Sequence, residues 1–142
     1  MHESQPKIFL ELINKADING RTPLHKAAMF GKIEVAEFLI NKGAFIDAVD
    51  KEGRTPLLLT ASRNYLEMVF FFLNNGSDFF AIDSKKKNFL HSIVYSQVDE
   101  AFNSKEPDIS SDFVKIQRIF EILEEVKLYL INFTKEKNIF IY

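Results

Sequence analysis

Aspartate and histidine side chains, which serve as acid–base catalysts and as metal ligands, recur in this chain at a constant interval. Asp17, Asp50 and Asp83 lie 33 residues apart, and His25 and His91 each follow an aspartate by eight residues. After the middle aspartate, the same position holds a leucine. This spacing raises two possibilities: a carboxylate pair that transfers a proton, and a histidine site that holds a metal ion.

The interval itself argues against both kinds of chemistry. Equivalent carboxylates in stacked helical units are separated by roughly 10 Å, which is too far for them to share a proton. Two imidazoles with a whole unit between them cannot bind one ion, and the chain has no cysteine to complete a ligand set. The sequence also lacks a phosphate-binding glycine loop, a Ser-His-Asp arrangement and a His-Glu-x-x-His motif. We therefore predict no enzyme, no catalytic residue, no metal site and no cofactor.

The aspartates instead mark the start of a repeated unit. The phrase Asp17-Ile-Asn-Gly-Arg-Thr-Pro-Leu-His25 recurs as Asp50-Lys-Glu-Gly-Arg-Thr-Pro-Leu-Leu58 and, more weakly, as Asp83-Ser-Lys-Lys-Lys-Asn-Phe-Leu-His91. In the first two copies a glycine permits a tight turn, a threonine caps a helix, and a proline suits the first helical position. The aspartates are then turn residues that accept hydrogen bonds from nearby amides, and the histidines are structural.

Each unit is predicted to contain two short helices. First helices at about 23–30 and 56–63 end at Gly31 and Asn64, which suit left-handed caps. Second helices and extended arms follow, at 33–41 and 66–74 for the helices and at 44–50 and 77–83 for the arms. Such a pair cannot bury its own apolar surface, so each must pack on its neighbours. The predicted fold class is all-α: a solenoid of helix pairs joined by β-hairpin fingers, with a longer C-terminal capping helix.

The two ends of the chain are less regular. Leu12-Ile-Asn-Lys15 repeats Leu39-Ile-Asn-Lys42, yet the next aspartate follows six residues too early, which predicts a half repeat. After His91 the register fails, and apolar residues at three- and four-residue spacing then predict a long helix from residue 111 or 112. The predicted organisation is a half repeat (1–16), two repeats (17–49 and 50–82), a divergent repeat (83–134) with a loop insert (98–110), and a tail (135–142).

One phrase and its spacing indicate a known family. Gly20-Arg-Thr-Pro-Leu-His-Lys-Ala-Ala28, followed by Gly31 and Asp50, resembles the ankyrin repeat. The resemblance covers residues 17–97 closely and residues 6–16 loosely. It implies antiparallel helix pairs with an L-shaped cross-section, and a binding surface formed by the finger tips and the inner helix face.

A narrower resemblance rests on about forty residues. Gly53-Arg-Thr-Pro-Leu-Leu-Leu-Thr-Ala-Ser-Arg63, followed by Lys87-Asn-Phe-Leu-His91, is similar to the cytoplasmic ankyrin array of transient receptor potential cation channels of the ankyrin subfamily. This chain departs from such channels because it has no pore helices, no cysteines for electrophile sensing, and about three units only. The resemblance therefore implies a fragment, a truncated product or a shortened paralogue, and it carries over neither conduction nor chemical gating.

Composition and charge limit the kinds of partner and compartment. A net charge of −2, with lysine and arginine spread along the chain, gives no basic stripe for a phosphate backbone, so no nucleic-acid partner is predicted. The longest apolar run, Met68 to Leu73, is too short to cross a bilayer, and no signal peptide is recognisable. The expected location is cytoplasmic or, within a channel, the cytoplasmic face of the plasma membrane.

The candidate binding residues lie at positions that differ between units while the core positions repeat. These positions are the finger tips and the outward side of each first helix, where apolar and aromatic residues typical of interface anchors stand among charged ones. The predicted partner-binding residues are Arg21, Lys26, Met29, Phe30, Lys51, Glu52, Arg54, Leu59, Ser62, Arg63, Lys85, Lys87 and Tyr95. The expected partners are proteins, including neighbouring ankyrin repeats or channel subunits.

Three of these features have a second interpretation. Lys85-Lys-Lys87 could hold an acidic partner or an anionic lipid head group, although a solvated finger tip is the simpler explanation. Met68 to Leu73 could dock a partner, although helical core is simpler. The exposed anchors could instead be covered by neighbouring units.

The leading hypothesis is a non-enzymatic ankyrin-repeat binding module from the cytoplasmic region of a cation channel. A free-standing cytosolic adaptor or inhibitor is the alternative. An enzyme that uses ankyrin repeats for targeting comes third, because this sequence contains no recognisable catalytic domain.

Overall fold

The computed structural model describes residues 4–102 and 109–138. The chain divides into two compact parts, one ending at Ser96 and one beginning at Gln97, and the word unit is kept for a single repeat. Within the described residues the regular secondary structure is entirely α-helical, with turns and loops between the helices. The helices are α1 (Ser4–Ile13), α2 (Pro23–Met29), α3 (Ile33–Asn41), α4 (Pro56–Ser62), α5 (Leu66–Asn74), α6 (Phe89–Phe102) and α7 (Ile109–Lys137). None of them is both long and apolar enough to cross a membrane. The all-α repeat architecture is confirmed.

The first helices begin where threonine and proline stand together. Thr22 Oγ1 accepts the His25 amide proton at 3.4 Å, and Thr55 Oγ1 accepts that of Leu58 at 3.3 Å. Each threonine is the N-cap, and the proline after it occupies the first turn, where a missing amide proton costs nothing. Both predicted helix starts are therefore confirmed.

The first helices end where the backbone becomes left-handed. Gly31 has a φ of +65° and Asn64 a φ of +60°, as the sequence predicts for these two caps. The second helices α3 and α5 follow directly, with the predicted bounds.

The core of the first compact part, up to Ser96, lies between successive helix pairs. Helix α2 packs on α3 and α4, and α4 packs on α5. Leu24 and Leu57 are buried at the centre of these contacts, while Ala28 and Ala61 allow the helices to approach closely. Each pair thus covers the apolar side of the next, as a solenoid requires.

The segments between the pairs are turns, not β-hairpins. The turn at Asp50 is closed by two backbone hydrogen bonds, from its amide to the Arg54 carbonyl and from the Gly53 amide to the Asp50 carbonyl, both at 3.0 Å. Successive turns are joined by single bonds, such as Lys51 N to Asn19 O at 3.0 Å. No strand forms within the described residues, because only two residues separate each turn from its helix. The hairpin expectation is corrected accordingly.

Helices α6 and α7 differ from the predicted C-terminal half at their ends. Helix α6 continues to Phe102, five residues into the segment 98–110 that the sequence predicts as a loop. Residues 98–102 contain no glycine or proline, so nothing stops the helix there. Residues 103–108 lie outside the described part of the chain. Helix α7 begins at Ile109 and ends at Lys137, beyond the predicted tail boundary, and its Tyr129 and Phe133 rings stack at 5.8 Å.

Candidate protein-binding surface

The three aspartates shape the turns that present the finger-tip residues. Asp50 Oδ1 accepts the amide protons of Glu52 and Arg54, both at 2.9 Å. Asp17 and Asp83 accept the equivalent pairs of amide protons in their own turns. The prediction that these carboxylates are turn residues is confirmed.

Hydrogen bonds and ion pairs keep the Asp50 carboxylate ionised in a buried position. Burial alone raises its pKa, but hydrogen bonds from the amide and guanidinium of Arg54 outweigh burial and leave the pKa below its usual value. The Arg54 Nε and Nη2 atoms both lie 3.0 Å from Asp50 Oδ2, and Arg21 of the preceding unit lies 3.7 Å away. An ionised carboxylate held by two guanidinium groups is a structural link, not a proton donor.

Asp17 is fixed in a different way, because it lies at the start of the array. The ammonium group of Lys26 donates to its carboxylate at 2.7 Å and is the main reason that its pKa falls to about 2. The carboxylate is therefore ionised at neutral pH.

His25 joins the first unit to the second. Its Nδ1 atom accepts the Thr22 amide proton at 3.1 Å, which leaves Nε2 to donate to the Arg54 carbonyl at 2.8 Å. Burial lowers the pKa of this imidazole and keeps it neutral. His91, by contrast, is exposed and interacts only with nearby Asn88 in the hydrogen bonds that the structure describes. No cluster of metal-ligating side chains is found in the described residues.

Most of the predicted binding residues are on the surface. Phe30 is 62 % exposed and Tyr95 is 56 % exposed, which is unusual for aromatic side chains. The other exposed members are Lys26, Lys51, Glu52, Ser62, Arg63 and Lys85, and the half-buried members are Arg21, Met29, Arg54 and Lys87.

Leu59 is the exception and corrects the predicted set. Its side chain is only 2 % exposed, so it belongs to the core and is not available to a partner. The equivalent residue of the first unit, Lys26, is exposed. The two positions differ because helix α2 packs on α4, whereas no described helix packs on α2 in the same way.

Five of the remaining predicted residues form two rows that run from one first helix to the next. Met29, Ser62 and Tyr95 occupy equivalent positions in successive units, and so do Phe30 and Arg63. Aromatic side chains therefore stand at both ends, with polar side chains in the middle unit. The ammonium group of Lys87 lies 4.1 Å from the centre of the Tyr95 ring, which places a positive charge at one anchor.

Charge is divided between the two sides of the repeat, a feature that the sequence interpretation missed. We call the turns and first helices of the three units, residues 17–30, 50–63 and 83–96, the finger face. It carries eight lysine and arginine residues and four carboxylates: Arg21, Lys26, Lys51, Arg54, Arg63, Lys85, Lys86 and Lys87 against Asp17, Asp50, Glu52 and Asp83. Helices α3 and α5 carry three glutamates and no lysine or arginine. Counting charges by repeat position would have shown this division.

These features define a class: a helical repeat protein with polar side chains that link its repeats and a surface that is basic on the finger face and acidic on the second helices. The family model for ankyrin repeats in three copies matches residues 1–100, and the chain therefore belongs to the ankyrin-repeat family. Ankyrin repeats are non-enzymatic protein–protein interaction modules. No curated protein matches the chain.

Proposed function

We propose that the chain binds an acidic segment of a partner protein along its finger face. The observation that supports this proposal is the charge division: a chain of net charge −2 presents a surplus of cations on this face. Three of the four carboxylates on the face are the turn aspartates, whose Oδ1 atoms accept backbone amide protons of their own turns; the Oδ2 atoms of Asp17 and Asp50 are paired with Lys26 and Arg54. An approaching anion therefore meets mostly lysine and arginine side chains.

The two exposed aromatic residues of the finger face indicate that the partner segment also carries apolar residues. Phe30 lies on the first unit and Tyr95 on the third, so they are separated by two repeat steps of roughly 10 Å each. Exposed aromatic side chains are common anchors of protein interfaces. The partner segment would carry an apolar residue for each anchor and acidic residues between them, opposite Arg63.

Peptide selection can test this proposal without a known partner. A random peptide library selected against the chain should be enriched in Asp and Glu flanked by apolar residues. Binding of a selected peptide should weaken as salt is raised, because surface charges are screened. Phe30→Ser and Tyr95→Ser should each reduce its affinity about tenfold or more, as expected for anchors worth over 1 kcal/mol.

Phe38→Ser is the matched control, since Phe38 is 55 % exposed but lies on α3, away from the finger face. Circular dichroism of each variant checks that the helices are intact. Selected peptides without acidic residues, or equal losses in the Phe38 variant, would contradict the proposal.

We further propose that the chain is part of the cytoplasmic region of a transient receptor potential channel of the ankyrin subfamily. The similarity of Gly53–Arg63 and Lys87–His91 to such arrays supports this origin. The proposed location is then the cytoplasmic face of the plasma membrane. Sequencing of full-length transcripts tests it: six pore-domain helices downstream are expected, and a stop codon after Tyr142 would favour a cytosolic adaptor or inhibitor.

A further inference from the structure

Helix α1 exposes the side that its counterparts in the array bury. The matching sequences around Leu12 and Leu39 align Phe9 with Ala36 and Leu12 with Leu39. Ala36 and Leu39 are buried, on a helix that α2 packs against, whereas Phe9 is 46 % and Leu12 is 59 % exposed. Helix α1 is thus a second helix without its first helix within the described residues.

Two side-chain hydrogen bonds join this half repeat to the first repeat. Asn14 Oδ1 accepts the Phe45 amide proton at 2.7 Å, and its Nδ2 donates to the Gly43 carbonyl at 3.1 Å. One unit further on, Asp47 accepts the Asp78 amide proton at 3.0 Å in the same way. The half repeat therefore meets the first unit through the same type of contact by which the first unit meets the second.

The first unit has a groove on the side where a preceding first helix would lie. It has a volume of about 510 Å³, with Pro23, Ala27, Val35 and Leu39 among its lining residues. The equivalent residues of the second unit are fully covered by the first: Met68, for example, is 1 % exposed, whereas Val35 is 49 % exposed. A first helix packed at this place would cover both this groove and the exposed side of α1, and no helix of the described residues does so.

The rim of the groove indicates the charge of the helix that would fill it. Lys15, Lys26 and Lys32 line the groove. The residues at the same positions of the second unit are Ala48, Leu59 and Tyr65, none of them charged. Lys26 is paired with Asp17, but no carboxylate partner is described for Lys15 or Lys32. An incoming helix with carboxylates on its flank would complement these two cations.

We propose that the groove beside α2 and the exposed side of α1 together receive an acidic amphipathic helix from a partner protein, which completes the half repeat. Its apolar stripe would contact Val35 and Leu12, and its acidic flank would lie along Lys15 and Lys32. This surface goes beyond the finger face proposed above. The two overlap at the first turn and α2, where Arg21, Lys26 and Phe30 belong to both, so the variants that test the groove all lie outside the finger face.

A labelled synthetic peptide of about 15 residues, stapled to stay helical, tests the proposal by fluorescence anisotropy. It carries leucines at i, i+3, i+4 and i+7 with glutamates on both flanks, and a rearranged peptide of equal composition has no continuous stripe. We expect the striped peptide to bind and the rearranged one to bind at least about tenfold more weakly, since only the stripe fits an apolar groove.

Variants locate the peptide on the surface. Val35→Asp and Leu12→Asp should each weaken binding about tenfold or more, because a carboxylate would be buried against the apolar stripe. The double variant Lys15→Glu/Lys32→Glu should weaken it about tenfold, because two attractions become repulsions. Phe80→Asp, at a ring that is 68 % exposed and does not line the groove, and Tyr95→Ser on the finger face should leave it unchanged.

Several outcomes would overturn the proposal. These are equal binding of both peptides, no effect of Val35→Asp, and loss of binding in the Tyr95 variant, which would place the peptide on the finger face. Sedimentation that shows a dimer of the free chain, dissociated by Val35→Asp, would assign the groove to a second copy of the chain instead. Failure of the finger-face peptides leaves this result unaffected, because the two tests use different variants.

Discussion

The two junctions between the three units of the array are built from different chemistry. At the first junction, His25 bonds to the Arg54 carbonyl and Arg21 approaches Asp50, so polar side chains cross from one unit to the next. At the second, Leu58 takes the place of His25, and Phe89 packs edge-on against Phe79 with ring centres 5.1 Å apart. The backbone turn is the same in both, so the turn and the junction are specified separately.

The apolar junction should be the more sensitive of the two. Phe89 is 1 % exposed, and its truncation to alanine should lower the free energy of unfolding by about 3–5 kcal/mol, because a large cavity remains. Phe80→Ala is the matched control: its ring also touches Phe79, at 5.2 Å, but is 68 % exposed. The control should cost less than about 1 kcal/mol. Urea denaturation measures both, and similar losses would mean that the second junction does not depend on this packing.

His25→Leu converts the first junction into the second and should have an intermediate effect. The second repeat has leucine at this position, so the side chain should fit, but it leaves the Thr22 amide proton without its partner and removes one of the two hydrogen bonds that the Arg54 carbonyl accepts. We expect a loss of about 1–3 kcal/mol, the cost of leaving buried polar groups unsatisfied. Leu58→Met, a conservative change at the equivalent position, should cost less. A His25→Leu variant as stable as wild type would show that the polar link contributes nothing to the junction.

The same histidine should make the stability of the first junction depend on pH. Burial holds the pKa of His25 below its ordinary value of 6.5, so just below that pH the unfolded chain binds a proton that the folded chain does not. The free energy of unfolding should therefore decrease as the pH falls below about 6.5. Denaturation of wild type and His25→Leu between pH 7.5 and about 5 measures this. The difference between them should narrow as the pH falls, and a constant difference would contradict the assigned neutral form.

Local chemistry explains why so much of the array was predictable from the sequence. Thr22 with Pro23 fixes the start of a helix, and Gly31 its end, through contacts within a few residues. The burial of Leu59 was not predictable in this way, because it depends on whether the helix of a preceding repeat packs against α4. Lys26 and Leu59 share one register position, yet only one is covered. Repeat periodicity describes an average unit and does not distinguish the first unit from an inner one.

The candidate surface was predicted as a set of positions. Its division of charge could also have been read from the sequence but was missed, whereas the groove could not be predicted from the sequence. The groove depends on how α1 sits on the first repeat, because Val35 lacks, within the described residues, the cover that buries Met68 at the same position of the second repeat. The α6 extension through residues 98–102 was missed because polar composition was interpreted as loop. Those residues form a helix all the same, since polarity alone does not end one.

The smallest expected effect comes from the third turn, at Asp83, whose sequence differs most from the other two. Lys86 stands where the first two units have Gly20 and Gly53, and it adopts the same left-handed backbone, with a φ of +63° against +74° and +72°. That conformation costs a residue with a side chain about 1–2 kcal/mol, while glycine loses about 0.5–1 kcal/mol more entropy on folding. The balance predicts that Lys86→Gly stabilises the chain by about 0.5–1 kcal/mol. Lys85→Gly, one residue earlier and without a positive φ, should be neutral or destabilising, so thermal melting of the pair separates backbone strain from loss of a lysine charge. If both glycine variants shift the melting temperature equally, the left-handed backbone at Lys86 does not cost stability. The departures of the third turn from the repeat sequence would then affect stability only through packing.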